Sequence, residues 1–255
     1  MKPPIPIYDC HGHIGIHPDF PAYKADPEEL LRVMDLLNIE VLAVTSTLAC
    51  YNDCPRGNAE VAKVIERQPH RFRGYITVNS SPAGEAASEL ARWSWFHKPP
   101  LIKLHPDLHK SPVNGPGYRP VWDYANRTEA VVLVHTWDSD PNCSPILLAP
   151  VAREFPRARI ILGHSGVTWR GYHQAIECAE GAANVFLDIT GSQSHRTIME
   201  KMVDRLAYDR ILFGSDMPYL EAAVSLGRVL TAQISNEAKE AILRLNFVKL
   251  LQESA

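Results

Sequence analysis

Eight short runs of apolar, often β-branched residues recur along this chain of 255 residues, and segments with helical spacing separate them. Alternation of this kind predicts repeated strand–helix units around a parallel sheet. Residues 131–134 (Val-Val-Leu-Val) are apolar at every position, as expected for a strand that is buried on both faces. The predicted strands are Ile5–Cys10, Val41–Thr45, Tyr75–Val78, Leu101–Leu104, Val131–His135, Ile160–Leu162, Val185–Ile189 and Ile211–Phe213.

A helix is predicted after each strand, and one more ends the chain. Asp26 is placed to cap the first of these helices, with Pro27 in its first turn. The predicted helices are Pro27–Leu37, Asn58–Arg67, Gly84–Trp95, Tyr118–Arg127, Ser144–Glu154, Tyr172–Glu180, Ser194–Leu206, Leu220–Leu230 and Asn236–Leu251.

Eight strand–helix units without a long linker predict one α/β domain over residues 1–255, a single (β/α)8 TIM barrel with a C-terminal helix. The hydrophobic content of 45% is ample for one large core. An open, doubly wound sheet is the alternative architecture. Against it, no glycine-rich phosphate-binding loop follows any predicted strand.

The net charge and the length of the apolar segments limit the classes of partner that this protein can have. The formal net charge is -3, the isoelectric point is about 6.4, and no block of like charge occurs, so we expect no nucleic-acid partner. No window approaches the length of a membrane span, and residues 1–10 lack the apolar stretch of a signal peptide. We therefore expect a cytoplasmic protein without membrane contact. The sequence leaves the oligomeric state open, a homo-oligomer included.

Histidines cluster at the predicted strand ends, where a barrel of this type carries its chemistry. Four of the eleven lie at or just after the end of a strand, and Asp216 follows the eighth strand. His11 and His13 are two residues apart, so an extended backbone turns both imidazoles to the same side. Such groups are ligands of Zn or a similar divalent ion. The four strand-end histidines are His11, His105, His135 and His164.

Five ordered motifs give this sequence a resemblance to the amidohydrolase superfamily, in particular to the branch known as amidohydrolase family 2. The resemblance extends over nearly the whole chain. The motifs are residues 8–13 (Tyr-Asp-Cys-His-Gly-His), 101–106 (Leu-Ile-Lys-Leu-His-Pro), 134–136 (Val-His-Thr), 162–166 (Leu-Gly-His-Ser-Gly) and 213–218 (Phe-Gly-Ser-Asp-Met-Pro).

The resemblance implies a divalent metal ion, most simply Zn, held by His11, His13 and His135, with Asp216 as a further ligand or as the proton carrier. Asp216 and His164 are then the predicted catalytic residues. His164 in such proteins either binds a second ion or acts beside the metal as a base or electrophile. Whether the site holds one ion or two stays open.

The chemical state of Lys103 determines whether the site holds one ion or two. In two-metal members of the superfamily, a carboxylated lysine on the fourth strand bridges the ions, and Lys103 lies on that strand with the same inward parity as His105. The alternative is an unmodified buried lysine that pairs with Asp9 or another carboxylate inside the barrel.

Five further residues are predicted to line the substrate pocket, and each has a structural alternative. His105 ends the fourth strand, and the others belong to loops after strands two, six and eight. A solvated loop position is the competing interpretation for the loop residues. The five are His105, Trp169, Arg170, Tyr219 and Arg56.

The preferred function is hydrolysis of an amide, lactone or ester bond in a small molecule by a metal-activated water. In that scheme Asp216 carries the proton and His164 stabilises the developing oxyanion. Decarboxylation of an aromatic or unsaturated acid on the same metal site is the first alternative. A lactonase that works without metal and a non-catalytic binding barrel are the others.

Overall fold

The computed structural model describes residues 5–51, 53–80, 85–191, 193, 195 and 197–253. The predicted helix starts at Gly84 and Ser194 fall outside these ranges. Eight strand positions follow one another along the chain, and the third is interrupted at Tyr75. They are β1 (Ile7–Ile14), β2 (Ile39–Ser46), β3 (Phe72–Gly74 and Ile76–Thr77), β4 (Leu101–Leu104), β5 (Val131–His135), β6 (Arg159–Gly163), β7 (Val185–Asp188) and β8 (Ile211–Leu212).

All neighbouring strands pair in parallel, in chain order. The ladders form two sheets, one ending and the other beginning within β3. The Tyr75 amide donates to the Val44 carbonyl at 2.9 Å between them. On the other side, β1 meets the segment after β8, where the Cys10 amide donates to Phe213 at 2.9 Å and the His13 amide to Met217 at 2.8 Å. Backbone hydrogen bonds outside the two ladders therefore link the sheets on both sides. The predicted α/β TIM-barrel class is confirmed.

Helices follow the strands and pack outside them. The helix that begins at Cys54 starts four residues earlier than predicted because Asp53 caps it, with its Oδ1 accepting from the Arg56 amide. Thr168 likewise caps the helix that begins at Trp169. The helices are α1 (Pro27–Leu37), α2 (Thr47–Cys50), α3 (Cys54–Arg67), α4 (Glu85–Trp93), α5 (Arg119–Thr128), α6 (Leu148–Glu154), α7 (Trp169–Glu180), α8 (Ile198–Leu206), α9 (Ala222–Thr231), α10 (Asn236–Glu240) and α11 (Asn246–Leu251).

The C-terminal helix fills one end of the barrel. Phe247 and Leu251 of α11 are fully buried and belong to the same apolar cluster as Cys10 and Leu133 from the strands. The Asn246 side chain donates to the carbonyls of Tyr208 at 2.6 Å and Ile211 at 2.8 Å, which fixes the helix beneath β8. The opposite end, where the strands finish, is left for the polar side chains.

Within the described ranges, no helix combines the length and the apolar character that crossing a bilayer requires.

Candidate active site

His11 and His13 lie at the end of β1 and turn the same way, with ring centroids 5.3 Å apart. The register of β1 shifts between Asp9 and Gly12, so the strand is irregular where it delivers these rings. Asp9 supports the irregularity because its Oδ1 accepts from the backbone amides of His11 at 3.0 Å and Ser215 at 3.1 Å. One buried carboxylate therefore joins β1 to the segment after β8.

Asp216 brings its carboxylate onto both histidines. Its Oδ1 lies 3.0 Å from Nε2 of His13 and 3.5 Å from Nε2 of His11. Its backbone has a φ of 63°, in the left-handed region that non-glycine residues rarely adopt. The Asp216 amide donates to the His11 carbonyl at 2.8 Å and so holds this conformation. Strained backbone of this kind concentrates at functional sites.

His164 completes the cluster from the end of β6, also in the left-handed region, with a φ of 62°. Its ring centroid lies 4.8 Å from that of His11 and 4.7 Å from that of His135. Ser165 anchors the turn by donating from its hydroxyl to the Asp188 carbonyl at 2.7 Å. The structure therefore brings together the strand-end groups that the sequence predicted.

One set of three groups is arranged so that it could hold a metal ion, and it overlaps the predicted ligand set at His11 and Asp216. Among the described residues, His11, His164 and Asp216 place one ligand atom each within 4.8 Å of the others. His13 and His135, which were predicted as ligands, flank this trio. His164, which was predicted either to bind a second ion or to act beside the metal, belongs to it. His164 is therefore as well placed to bind an ion as to act beside one.

Burial sets the charge state of these groups. It lowers the pKa of His11, His13 and His164 well below the usual value, and it lowers the pKa of His135 to about 3. Burial also raises the pKa of Asp216 to about 7. Neutral imidazoles are the form that binds metal, and together with a carboxylate they fit a divalent ion of the Zn or Mn kind.

Asp188 was not predicted as a site residue, although it lies one residue before the end of the predicted seventh strand and ends β7 in the structure. Its Oδ2 lies 2.6 Å from Nδ1 of His11. Its other oxygen accepts from the amide of Thr190 at 2.7 Å. Burial raises the pKa of Asp188 to about 6. A carboxylate behind a histidine is the arrangement that orients metal-binding imidazoles in other proteins.

Lys103 lies beside His11 and is fully buried. Its Nζ contacts Nε2 of His11 at 3.0 Å. Pairing with Asp9 was the predicted alternative, but among the described residues no carboxylate forms an ion pair with Nζ. Nζ lies beside the His11 imidazole, and the Asp216 and Asp188 carboxylates act on it only from beyond ion-pair distance. Whether Lys103 is carboxylated therefore stays a prediction.

A cavity opens onto the cluster at the barrel end. His13, His135, His164 and Asp216 form its floor, and about 90 Å³ is accessible to water. Mostly aromatic and apolar side chains form its walls. These wall residues are His17, Phe20, Cys50, His105, Leu108, Trp137, Val167, Tyr219 and Leu220.

Tyr219 and His105 line this cavity, as their predicted pocket role requires. Tyr219 stacks on His13 with ring centroids 4.4 Å apart, and its hydroxyl contacts the Thr47 hydroxyl. The His105 ring stacks on His135 at 4.0 Å with only 12° between the ring planes. His17 and Trp137 also line the cavity and were missed because they lie in loops beyond the strand ends.

Three other predicted pocket residues lie away from it. Arg56 is exposed on the first turn of α3 and pairs with Asp53 at 3.2 Å. Arg170 is exposed and donates from Nε to Asp138 at 2.8 Å. Trp169 is 43% exposed and packs against side chains of the outer helices. None of these three side chains lines the described cavity, so a pocket role for them stays a prediction.

Comparison with known proteins agrees with this architecture. The model of the amidohydrolase family matches residues 8–252. An uncharacterised TIM-barrel protein from Bordetella bronchiseptica superposes with a TM-score of 0.80 at 17% identity, covering 97% of this chain and 99% of that one.

Two decarboxylases share the same fold. The 2,6-dihydroxybenzoate decarboxylase from Rhizobium gives a TM-score of 0.77 at 17% identity, covering 99% of each chain. A dihydroxybenzoic acid decarboxylase from Polaromonas sp. JS666, solved with bound manganese and the inhibitor 2-nitroresorcinol, gives 0.77 at 15% identity, covering 99% of this chain and 97% of that one.

Proposed function

Because this chain belongs to the amidohydrolase family, we propose that it is a metal-dependent enzyme that removes CO2 from a small planar carboxylic acid without an oxidant. This replaces hydrolysis as the preferred reaction. Two proteins of the same fold are decarboxylases of dihydroxybenzoic acids, and one of them was solved with manganese. A fold likeness below 20% identity does not carry an activity by itself, so the proposal depends on the site of this chain.

The observation that carries the proposal is the shape and lining of the cavity above the cluster. Phe20 and Tyr219 lie nearly parallel, with 17° between their planes, and the stacked pair of His105 and His135 provides a second flat surface. Flat walls favour a planar ligand. The floor holds the imidazoles and the carboxylate, so the acid group of such a ligand would face them.

When bound, a divalent ion would polarise an oxygen of the substrate and fix its orientation. His11, His164 and Asp216 would hold it, since their ligand atoms lie within 4.8 Å of one another. Asp216 is also the carboxyl group on the cavity floor, and it would deliver a proton to the carbon that bears the carboxylate. The carbon–carbon bond then breaks, its electron pair returns to the ring, CO2 leaves, and solvent restores the proton on Asp216.

Hydrolysis of a lactone, amide or ester is the second candidate, and one observation favours it. The described cavity lining contains no lysine or arginine, whereas basic side chains around a planar acid were the feature expected of a decarboxylase. Lys103 lies beneath the floor and does not line the cavity. A neutral substrate would need no such partner, and Asp216 could equally carry the proton from an attacking water to a leaving group.

The two reactions are separated by their products. Protein loaded with Mn²⁺ or Zn²⁺ would be offered hydroxybenzoates and unsaturated acids labelled in the carboxyl group, and in parallel lactones and amides. We expect labelled CO2, no turnover after chelation, and loss of turnover in Asp216→Asn. The exposed Arg56→Ala variant is the matched control and should retain full turnover.

Acid release from lactones or amides without CO2 would replace the proposal with hydrolysis. Turnover that survives complete removal of metal would favour the metal-free lactonase. Stoichiometric metal without turnover on either panel would contradict both reactions and favour a binding protein.

A further inference from the structure

His105 lies just beyond β4 at the edge of the cavity, and its ring covers one face of His135. The proposed reaction assigns it no role. Its Nδ1 accepts a hydrogen bond from the backbone amide of Leu108 at 3.4 Å. His105 is therefore held by the turn that follows β4 and by stacking on His135, and its only hydrogen bond among the described residues is to that turn.

This hydrogen bond fixes which ring nitrogen carries the proton. A backbone N–H can only donate, so Nδ1 of His105 must offer a lone pair. A neutral imidazole has one N–H, which places it on Nε2. Among the described residues, none accepts from that Nε2. The side chain therefore presents a hydrogen-bond donor that the protein leaves free.

Two other polar residues that line the cavity, His17 and Tyr219, already use their hydrogen-bond donors within the protein. The Asp19 amide donates to Nδ1 of His17 at 3.0 Å, so Nε2 of His17 carries the proton and donates to the Tyr51 hydroxyl at 3.0 Å. The Thr47 hydroxyl donates to the Ile14 carbonyl at 2.9 Å, so the Tyr219 hydroxyl donates to Thr47. Compared with these two residues, His105 is the one able to bind a substrate oxygen.

We infer that His105 is a specificity-determining residue whose Nε2–H binds a second oxygen on the substrate, next to the carboxylate. This rests on the proposed function. The carboxylate faces the trio on the floor, and His105 flanks that trio at the distance of one stacked imidazole. The donor therefore reaches an atom beside the acid group. The favoured substrate class is a planar acid with a hydroxyl or oxo group adjacent to the carboxylate.

The experiment measures binding and not turnover. Protein loaded with Mn²⁺ would be titrated calorimetrically with salicylate and with benzoate, which lacks the adjacent oxygen. We expect the wild type to bind salicylate about tenfold more tightly, since benzoate offers no acceptor to the Nε2–H donor. His105→Phe keeps a flat ring against His135 but has no donor, so it should bind both probes equally. His105→Gln carries an amide N–H at the position of Nε2 and should restore most of the preference.

A preference for salicylate that persists in His105→Phe would overturn the inference, because it would then come from the metal alone. Equal binding of both probes by the wild type would overturn it as well. Loss of manganese from His105→Phe would show that the residue acts only through His135, which also contradicts the inference. Release of CO2 is a separate measurement, so failure of the proposed reaction is distinguishable from failure of this role.

Discussion

Asp188 Oδ2 lies 2.6 Å from His11 Nδ1, with both side chains fully buried. The carboxylate can only accept when ionised, so the proton of His11 is on Nδ1 and Nε2 keeps the lone pair that a metal ion needs. The other oxygen of Asp188 is occupied by the amide of Thr190. Asp188, which lies outside the trio of His11, His164 and Asp216, therefore fixes the tautomer of His11 that can bind a metal ion.

Asp188→Asn should reverse that choice. The Asn oxygen would stay with Thr190, and its amide group would then donate to Nδ1 of His11, which moves the proton to Nε2. We expect metal affinity to fall by about 10- to 100-fold, with little change in fold. The measurement is metal content after dialysis against competing chelators. Asp204→Asn, on the exposed face of α8, is the matched control, and equal metal retention in both variants would refute this role.

Lys103 is expected to be carboxylated when the protein is loaded with metal. Its Nζ is fully buried and contacts His11, and no described carboxylate forms an ion pair with it. An unpaired buried ammonium is costly, whereas a carboxylated amine is an anionic ligand beside neutral imidazoles. Bicarbonate should raise the metal-to-protein ratio from one towards two and add the mass of one CO2. Lys103→Met should show neither change.

If the ratio stays at one in the wild type with bicarbonate, Lys103 is unmodified and the site holds a single ion. Intact mass measured without acid exposure would support or contradict this directly.

Gly214→Ala should damage the site from beneath. A Cβ there would lie 2.2 Å from Asp188 Oδ1 and 2.2 Å from Thr190 Oγ1, both of which are fully buried. We expect a loss of about 1–3 kcal/mol in unfolding free energy, together with at least tenfold weaker metal binding. Gly227→Ala is the control because nothing lies within 4 Å of its added Cβ. That change, inside α9, should stabilise the protein by up to about 1 kcal/mol.

The Glu253 carboxylate makes the unfolding free energy depend on pH. Burial raises its pKa, but hydrogen bonds from His97 and Arg73 outweigh burial and lower the pKa to about 2. The unfolded chain has the ordinary value of about 4.5, so this contribution is present above pH 4.5 and is lost as pH falls towards 2. It should amount to about 2 kcal/mol after solvent screening is allowed for.

Glu253→Gln should therefore lower the unfolding free energy in urea at pH 7, and the difference from wild type should shrink at pH 3. Glu66→Gln, at an exposed position of α3, is the control. A difference that stays constant between the two pH values would contradict the role of the ionised carboxylate.

The sequence predicted the strands best where apolar runs are continuous, as at Leu101–Leu104 and Val131–His135, whose bounds agree with the structure. It ended the first strand too early, at Cys10. Polar residues do not look like strand interior, yet β1 continues to Ile14 because the barrel buries its histidines.

The sequence predicted which strand-end residues form the site, but not which of their side chains contact one another. Strand parity placed His11 and His13 on the same side, but only the fold shows Nζ of Lys103 on His11 or Asp188 behind it. These contacts join residues 92 and 177 positions apart, and no local pattern encodes them. The positions of Trp169 and Arg170 depended on the Thr168 cap, which starts α7 three residues early.

The helix beneath the barrel also bears on how the protein is made. Phe247 and Leu251 complete the interior cluster that contains Cys10 of β1. A growing chain therefore cannot finish its core during translation until these late residues have left the ribosome. Until then the apolar interior of the strands is open to chaperones, and we expect nascent chains halted before residue 246 to be protease-sensitive even though every strand has been synthesised.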